Sequence, residues 1–248
     1  MRPSRPAVQA PRRNRPRSAG SAFVYSAALA AAIGAGAAMG LAGLAGTAVA
    51  GSPPAEGVSA EARAGLAAAA SEALPNLVVH EAARGPWTTP FKDGSGAKLT
   101  MAAFEGEIVV LNLWATWCPP CVHEMPSLDR LSAALEGSGA RVVTLSTDRG
   151  GADRVRDFFA DTGNEDYPKI NHLEIHVDKT NKFPREAAVI GLPVTMILDR
   201  EGREIARLTG DAEWDAPAIV KMIKALAEAT AGPLKDAAAG PSTAANRL

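Results

Sequence analysis

The run EIVVLNLWA (Glu107–Ala115) narrows the possible folds more than any other stretch of this chain. Between Ile108 and Ala115 it carries one polar side chain, Asn112. A strand with one face in water alternates apolar and polar residues, whereas a strand apolar throughout must be covered on both faces. The length of this run suits a strand rather than a helix. Covering both faces takes helices above and below a sheet, which is an α/β architecture. The run leads directly into TWCPPC, which holds both cysteines of the chain, Cys118 and Cys121.

The following segments fit such a sheet. From Cys121 the pattern turns helical, with Leu128, Leu131 and Leu135 at helical spacing and Gly137 and Gly139 as a stop. RVVTLST (Arg141–Thr147) reads as a second apolar strand, GADRVRDFFADTG as a helix ended by Gly163, and EIHVD (Glu174–Asp178) as a short strand. VTMILD and EIARLTG read as strands joined by a hairpin turn over Arg200–Gly202. In the last helix, DAPAIVKMIKALAEA, Asp215 is placed to cap the start, and Ile219, Met222, Ile223 and Leu226 share one face. The order β-α-β-α-β, then β-β-α, predicts a mixed sheet with helices on both sides.

The chain has 248 residues, room for one domain with appendages. Its formal net charge of −1 is unevenly spread. Six arginines (Arg2, Arg5, Arg12, Arg13, Arg15, Arg17) precede residue 20, and the first acidic residue is Glu56. The remainder is mildly acidic and offers no basic surface for nucleic acid. Residues 22–50 are 29 residues without a charge, longer than the roughly 20 that cross a bilayer. Arginines before such a span predict a cytoplasmic N-region over residues 1–21 and an exported body. Two outcomes stay open: a retained transmembrane anchor, or a signal segment cleaved after the small-x-small AVA at Ala48–Ala50. Residues 51–74, with Pro53-Pro54, read as a linker, 75–230 as the folded domain and 231–248 as a disordered tail.

A CxxC pair serves three chemistries. As a structural disulfide it closes only a short loop and removes little unfolded-chain entropy. As a metal site it lacks partners, because structural zinc takes four protein ligands and there is no second CxxC. A copper site of Cys118, Cys121 and the nearby His123 remains conceivable. His80 is isolated, and His172 and His176 have i, i+4 spacing in a strand-like context, which reads as ordinary surface. The redox reading has the best physical support. Cys118 falls where a strand hands over to a helix, and orphan N–H groups there favour a thiolate. Pro119 and Pro120 occupy the first turn, where a missing N–H costs nothing. Cys118 is then an exposed nucleophile with Cys121 sheltered behind it, and Pro126 should kink the helix.

WATWCPPCVHEMP resembles the active-site segment of thioredoxin-fold proteins. Its W-C-x-x-C-x-x-E-x-P form is similar to the membrane-anchored TlpA/ResA/DsbE branch, and VIGLPVTMILDREGREIARLTG (Val189–Gly210) extends the likeness. GDAEWD (Gly210–Asp215) resembles TlpA-type proteins in particular. The resemblance implies a thioredoxin fold with a mixed central sheet, helices on both faces and a central αβ insertion at GNEDYPKINHLEIHVDKTNKF. It implies catalytic roles for Cys118 and Cys121, with Glu124 lining the cavity and aiding proton transfer. It implies a substrate surface of Trp117, a cis Pro193, Val194 and Thr195, and structural roles for Gly191 and Pro126. No metal and no cofactor beyond the dithiol are implied.

The implied activity is reduction of protein disulfides in a bacterial periplasm, from a single N-terminal anchor in the inner membrane or as a cleaved soluble form. A membrane dithiol carrier would donate electrons. The implied substrates are a copper chaperone or oxidase subunit in cytochrome oxidase assembly, with apocytochrome c, as for ResA and DsbE, the alternative. A copper-binding chaperone is a reading from another class. Three positions depart from the pattern. Asn112 stands where thioredoxins have a buried aspartate, Val194 precedes Thr195 after the proline, and Pro119-Pro120 separates the cysteines.

Overall fold

The computed structural model describes residues 57–161 and 169–231. The expectations for residues 1–50, Pro53-Pro54, Gly163 and the tail beyond 231 lie outside these residues. Among the described residues no helix is long and apolar enough to cross a membrane.

The elements in chain order are α1 (Ala60–Ala73), β1 (Val78–Arg84), β2 (Phe91–Asp93), β3 (Lys98–Leu99), a 3₁₀ turn (Met101–Phe104), β4 (Ile108–Trp114), α2 (Pro119–Ala134), β5 (Ala140–Ser146), α3 (Ala152–Ala160), β6 (His176–Val177), α4 (Lys182–Glu186), β7 (Val194–Leu198), β8 (Glu204–Thr209) and α5 (Pro217–Ala229). They build one mixed sheet in the order β1-β8-β7-β4-β5-β6-β2-β3. The apolar run supplies β4, which is buried along its whole length between parallel β5 and antiparallel β7.

Alternation along β4 divides the interior in two. Ile108, Val110 and Trp114 pack with α1, α2, α3 and α5, whereas Val109, Leu111 and Leu113 pack with α4, the 3₁₀ turn and Phe91. Helices therefore cover both faces, and the chain has a thioredoxin-like α/β fold. The part of the predicted insertion from residue 169 onward adds β6 beside β5 and the start of α4. Asp129 of α2 fastens it, because one carboxylate oxygen accepts the backbone N–H groups of Asn171, His172 and Leu173 at 3.0, 2.6 and 3.1 Å.

Four readings need correction. Ala60–Ala73, placed in the linker, is a helix that packs on α5 through Leu66 and Ala70. Alanine favours helix, and a small-residue stripe can be buried without the bulky periodicity that marks a helix in sequence. Ser59 caps it, accepting from the Ala62 N–H at 3.1 Å. β1 was not predicted; its His80 is buried against Glu204 of β8 at 2.8 Å, so a polar pair stands where an apolar pattern was sought. Asp215 caps nothing: α5 starts beyond Ala216, and the carboxylate accepts from Arg130 of α2 at 2.6 Å instead. His176 is not surface. It is 1% exposed, edge-on to Phe91 and Phe104, and burial pushes its pKa down to about 4.

Candidate active site

The parallel register pairs Trp114 with Ser146, so the residues two beyond each strand end, Thr116 and Asp148, meet. The buried Asp148 carboxylate accepts from the Thr116 N–H at 2.9 Å, the Thr116 hydroxyl at 2.8 Å and the Ser146 hydroxyl at 2.8 Å. This pins the turn into α2, and the Cys118 N–H closes it on the Ala115 carbonyl at 3.1 Å. Cys118 is the N-cap residue of α2, with Pro119 and Pro120 in the first turn, and its Sγ accepts from the Cys121 N–H at 3.4 Å. The two cysteines form a disulfide with Sγ atoms 2.09 Å apart. Cys121 is sealed at 0% exposure and Cys118 shows only 5%, so the expected exposed nucleophile is largely covered in this oxidised form. Its Sγ turns back over the first turn of the helix, and Trp117, at 67%, faces water together with Pro119 and Pro120. α2 runs on through the buried Pro126 to Ala134.

One turn along α2 from Cys121, Glu124 is 1% exposed. Its Oε1 accepts from Asn112 Nδ2 at 2.8 Å. Its Oε2 accepts from Trp214 Nε1 at 2.8 Å and from the Ala212 N–H at 3.3 Å. Burial pushes the Glu124 pKa up to about 7, the donors pull against it, and Asp211 adds to the rise. Positions i and i+3 share a helix face, so this near-neutral carboxyl lies on the side of the inner cysteine. Such a group can take and return a proton at physiological pH.

The second segment divides in a way the sequence did not indicate. The Leu192-Pro193 bond is cis, Pro193 is buried, and Gly191 is exposed. Thr195 pairs with Asn112 across the sheet, is fully buried, and accepts from Asn112 Nδ2 at 2.9 Å. Val194 points the other way and packs with Leu113 in the opposite core. Neither presents its side chain as substrate surface, because both lie in a central strand covered on both faces. Leu192, just before the proline, packs instead against both cores, one of which contains the two cysteines.

His123 does not turn toward the cysteines: its Nδ1 lies 3.4 Å from Asp211. Among the described residues no group of three His, Cys, Asp or Glu side chains is arranged to hold a metal. Two contributors escaped the sequence reading, Asp148 and Trp214. Nothing in the sequence marked Asp148. Trp214 stood in the GDAEWD motif, but its bond to Glu124 spans 90 positions.

A dithiol capping a helix, with a buried carboxyl one turn behind it on a thioredoxin-like sheet, defines a thioredoxin-like dithiol domain. The chain belongs to the AhpC/TSA family, matched over residues 83–210. It is 28% identical over 121 residues to the thiol-disulfide oxidoreductase ResA of Bacillus thuringiensis subsp. konkukian, a match covering 48% of this chain and 64% of that protein. It is 33% identical over 108 residues to the thioredoxin-like protein YneN of Bacillus subtilis, covering 44% and 59%. To the thiol:disulfide interchange protein HelX of Rhodobacter capsulatus it is 29% identical over 127 residues, covering 51% and 65%. The chain thus spans less than two thirds of the length of these relatives. Among solved structures it is similar to a putative thiol:disulfide interchange protein DsbE from Chlorobium tepidum, with TM-score 0.48, 24% identity and coverage of 58% of this chain and 96% of that one.

Proposed function

We propose that this chain is a protein-disulfide reductase acting by thiol–disulfide exchange through Cys118 and Cys121. The observation that carries this reading is the buried Glu124 beside the inner cysteine of a helix-capping pair. In the reduced protein the Cys118 thiolate, favoured at a helix N-terminus, attacks one sulfur of a substrate disulfide. A Cys118–substrate bond forms, the substrate S–S bond breaks, and one substrate sulfur leaves as thiolate. Cys121 then gives its proton to Glu124 and attacks Cys118 Sγ, releasing the second substrate thiolate. Two electrons have passed to the substrate, and the Cys118–Cys121 disulfide remains. A dithiol donor returns it to the reduced state by the same chemistry. Trp117 offers an apolar contact beside Cys118, and the backbone around Pro193 the place for a substrate strand.

The arginines and the uncharged span over residues 22–50 support a domain exported to the periplasm behind an inner-membrane anchor. Within this role the GDAEWD segment favours copper-site cysteines of cytochrome oxidase assembly as substrate, in a copper chaperone or an oxidase subunit. Apocytochrome c is the competing substrate, supported by the likeness to ResA. Replacing Cys121 with serine stops the second step, so the substrate should stay bound through Cys118 and can be identified. Reduction rates with an oxidised copper-site cysteine pair and an oxidised CxxCH peptide rank the two substrates. A reduction potential near −270 mV, as in thioredoxin, fits a reductant, and a value near −120 mV would reverse the direction of electron flow. Stoichiometric Cu(I) binding lost equally in Cys118→Ser and His123→Ala would instead favour a copper chaperone.

A further inference from the structure

The loop over residues 211–215 is attached to one face of α2 at four positions. His123 meets Asp211 at 3.4 Å, and Arg130 donates to Asp215 at 2.6 Å. The Ser127 hydroxyl accepts from the Trp214 backbone N–H at 3.1 Å and lies 3.3 Å from the Ala212 carbonyl. Glu124 accepts from Ala212 and from the Trp214 indole. These contacts hold a fully buried tryptophan so that its indole N–H meets the buried Glu124 carboxylate, one turn from Cys121.

Packing alone does not demand that bond. Trp114 is equally buried in the same core, and its Nε1 has no hydrogen-bond partner. Of the two buried indoles in this core, the one that reaches a carboxylate is that of Trp214.

We propose that Trp214 is a positioning residue for the exchange reaction: its indole N–H fixes the Glu124 carboxyl on the Cys121 side of α2 and governs how readily Glu124 takes the Cys121 proton. This rests on the reductase reading above. The two short donors differ in origin. Asn112 comes from β4, at the centre of the sheet, whereas Trp214 comes from a loop fastened to side chains of α2. The charged group that acts on Glu124 is Asp211 of the loop, which itself meets His123 of α2. β4 and β7 present the neutral Asn112 and Thr195. A donor aimed at a carboxylate favours its ionised form, so removing the donor must raise its proton affinity. A hydrogen bond to a charged group is worth enough to move a titration by about one pH unit.

The test uses the full chain. Trp214→Phe keeps an aromatic ring and deletes the N–H. The carboxyl infrared band of Glu124, identified by its loss in Glu124→Gln, should titrate about one unit higher in Trp214→Phe than in the wild type. The acid limb of the pH–rate profile for disulfide reduction should move up with it, and Trp214→Phe should add no shift in a Glu124→Gln background. Should Trp214→Phe not fold, the unsubstituted protein serves. Its Trp214 indole ¹⁵N–¹H signal should move with the Glu124 titration and stay still in Glu124→Gln. An unmoved carboxyl titration in Trp214→Phe, or an indole signal indifferent to Glu124, overturns the proposal even where exchange is intact. A wild type that exchanges no disulfides overturns the reductase reading, while both spectroscopic titrations still report on the Glu124–Trp214 bond.

Discussion

Glu124 holds its proton far more tightly in the folded chain than an ordinary glutamate, and this has a cost that depends on pH. Below its ordinary value of 4.5, the folded and unfolded chains both carry the proton. Between 4.5 and about 7 only the folded chain carries it, so stability falls as pH rises through that window and stays reduced above it. The full effect is about 3 kcal/mol. Glu124→Gln has no such slope. The stability difference between wild type and Glu124→Gln, measured by chemical denaturation, should therefore shift against the wild type between pH 5 and pH 8. The same variant should slow release of the mixed disulfide, because Gln accepts no proton. Asn112→Asp tests the neighbour. It replaces a donor 2.8 Å from Glu124 with a second acid, and one of the two must then keep a proton. Disulfide reduction in that variant should follow two apparent pKa values belonging to the pair, read from its pH–rate profile.

The elements are held in register by polar contacts as much as by apolar ones. Asp129 takes three backbone N–H groups from the segment before β6. Asp129→Ala leaves those donors without their acceptor and should cost about 2 kcal/mol, with faster amide exchange confined to residues 171–173. Such contacts explain what could be read in advance. β4, β5 and β7 were legible because central strands are largely apolar runs, β8 because a hairpin turn joins it to β7, and the α5 face because Ile219, Met222, Ile223 and Leu226 keep helical spacing. α1 was not, since alanine carries no periodic signal, nor was β1, whose buried residue is a histidine. At the site, the cysteines and Glu124 were named from their motif. The inward placement of the Val194 and Thr195 side chains was not legible, because alternation in a doubly covered strand sends both into the interior. Asp148 and Trp214 act on residues distant in sequence, and no local pattern records such partners.

Across the whole molecule a single sheet separates two interiors that share few side chains, since Leu66 and Val194 belong to clusters on opposite faces. Leu66→Ala should cost about 2–5 kcal/mol and Val194→Ala about 2 kcal/mol. Because the sites are remote, the double variant should lose the sum to within about 0.5 kcal/mol by denaturant titration. Neither substitution should change which disulfide is reduced, since neither side chain reaches the surface near Cys118. Trp117 does reach it, standing in water one residue before the nucleophile while Trp114 and Trp214 are sealed within. Indole emission is quenched by a neighbouring disulfide and recovers when that bond opens. Opening the Cys118–Cys121 bond should therefore raise the tryptophan emission of the chain, and a Trp117→Phe variant should lose most of that rise in a fluorescence titration with reductant.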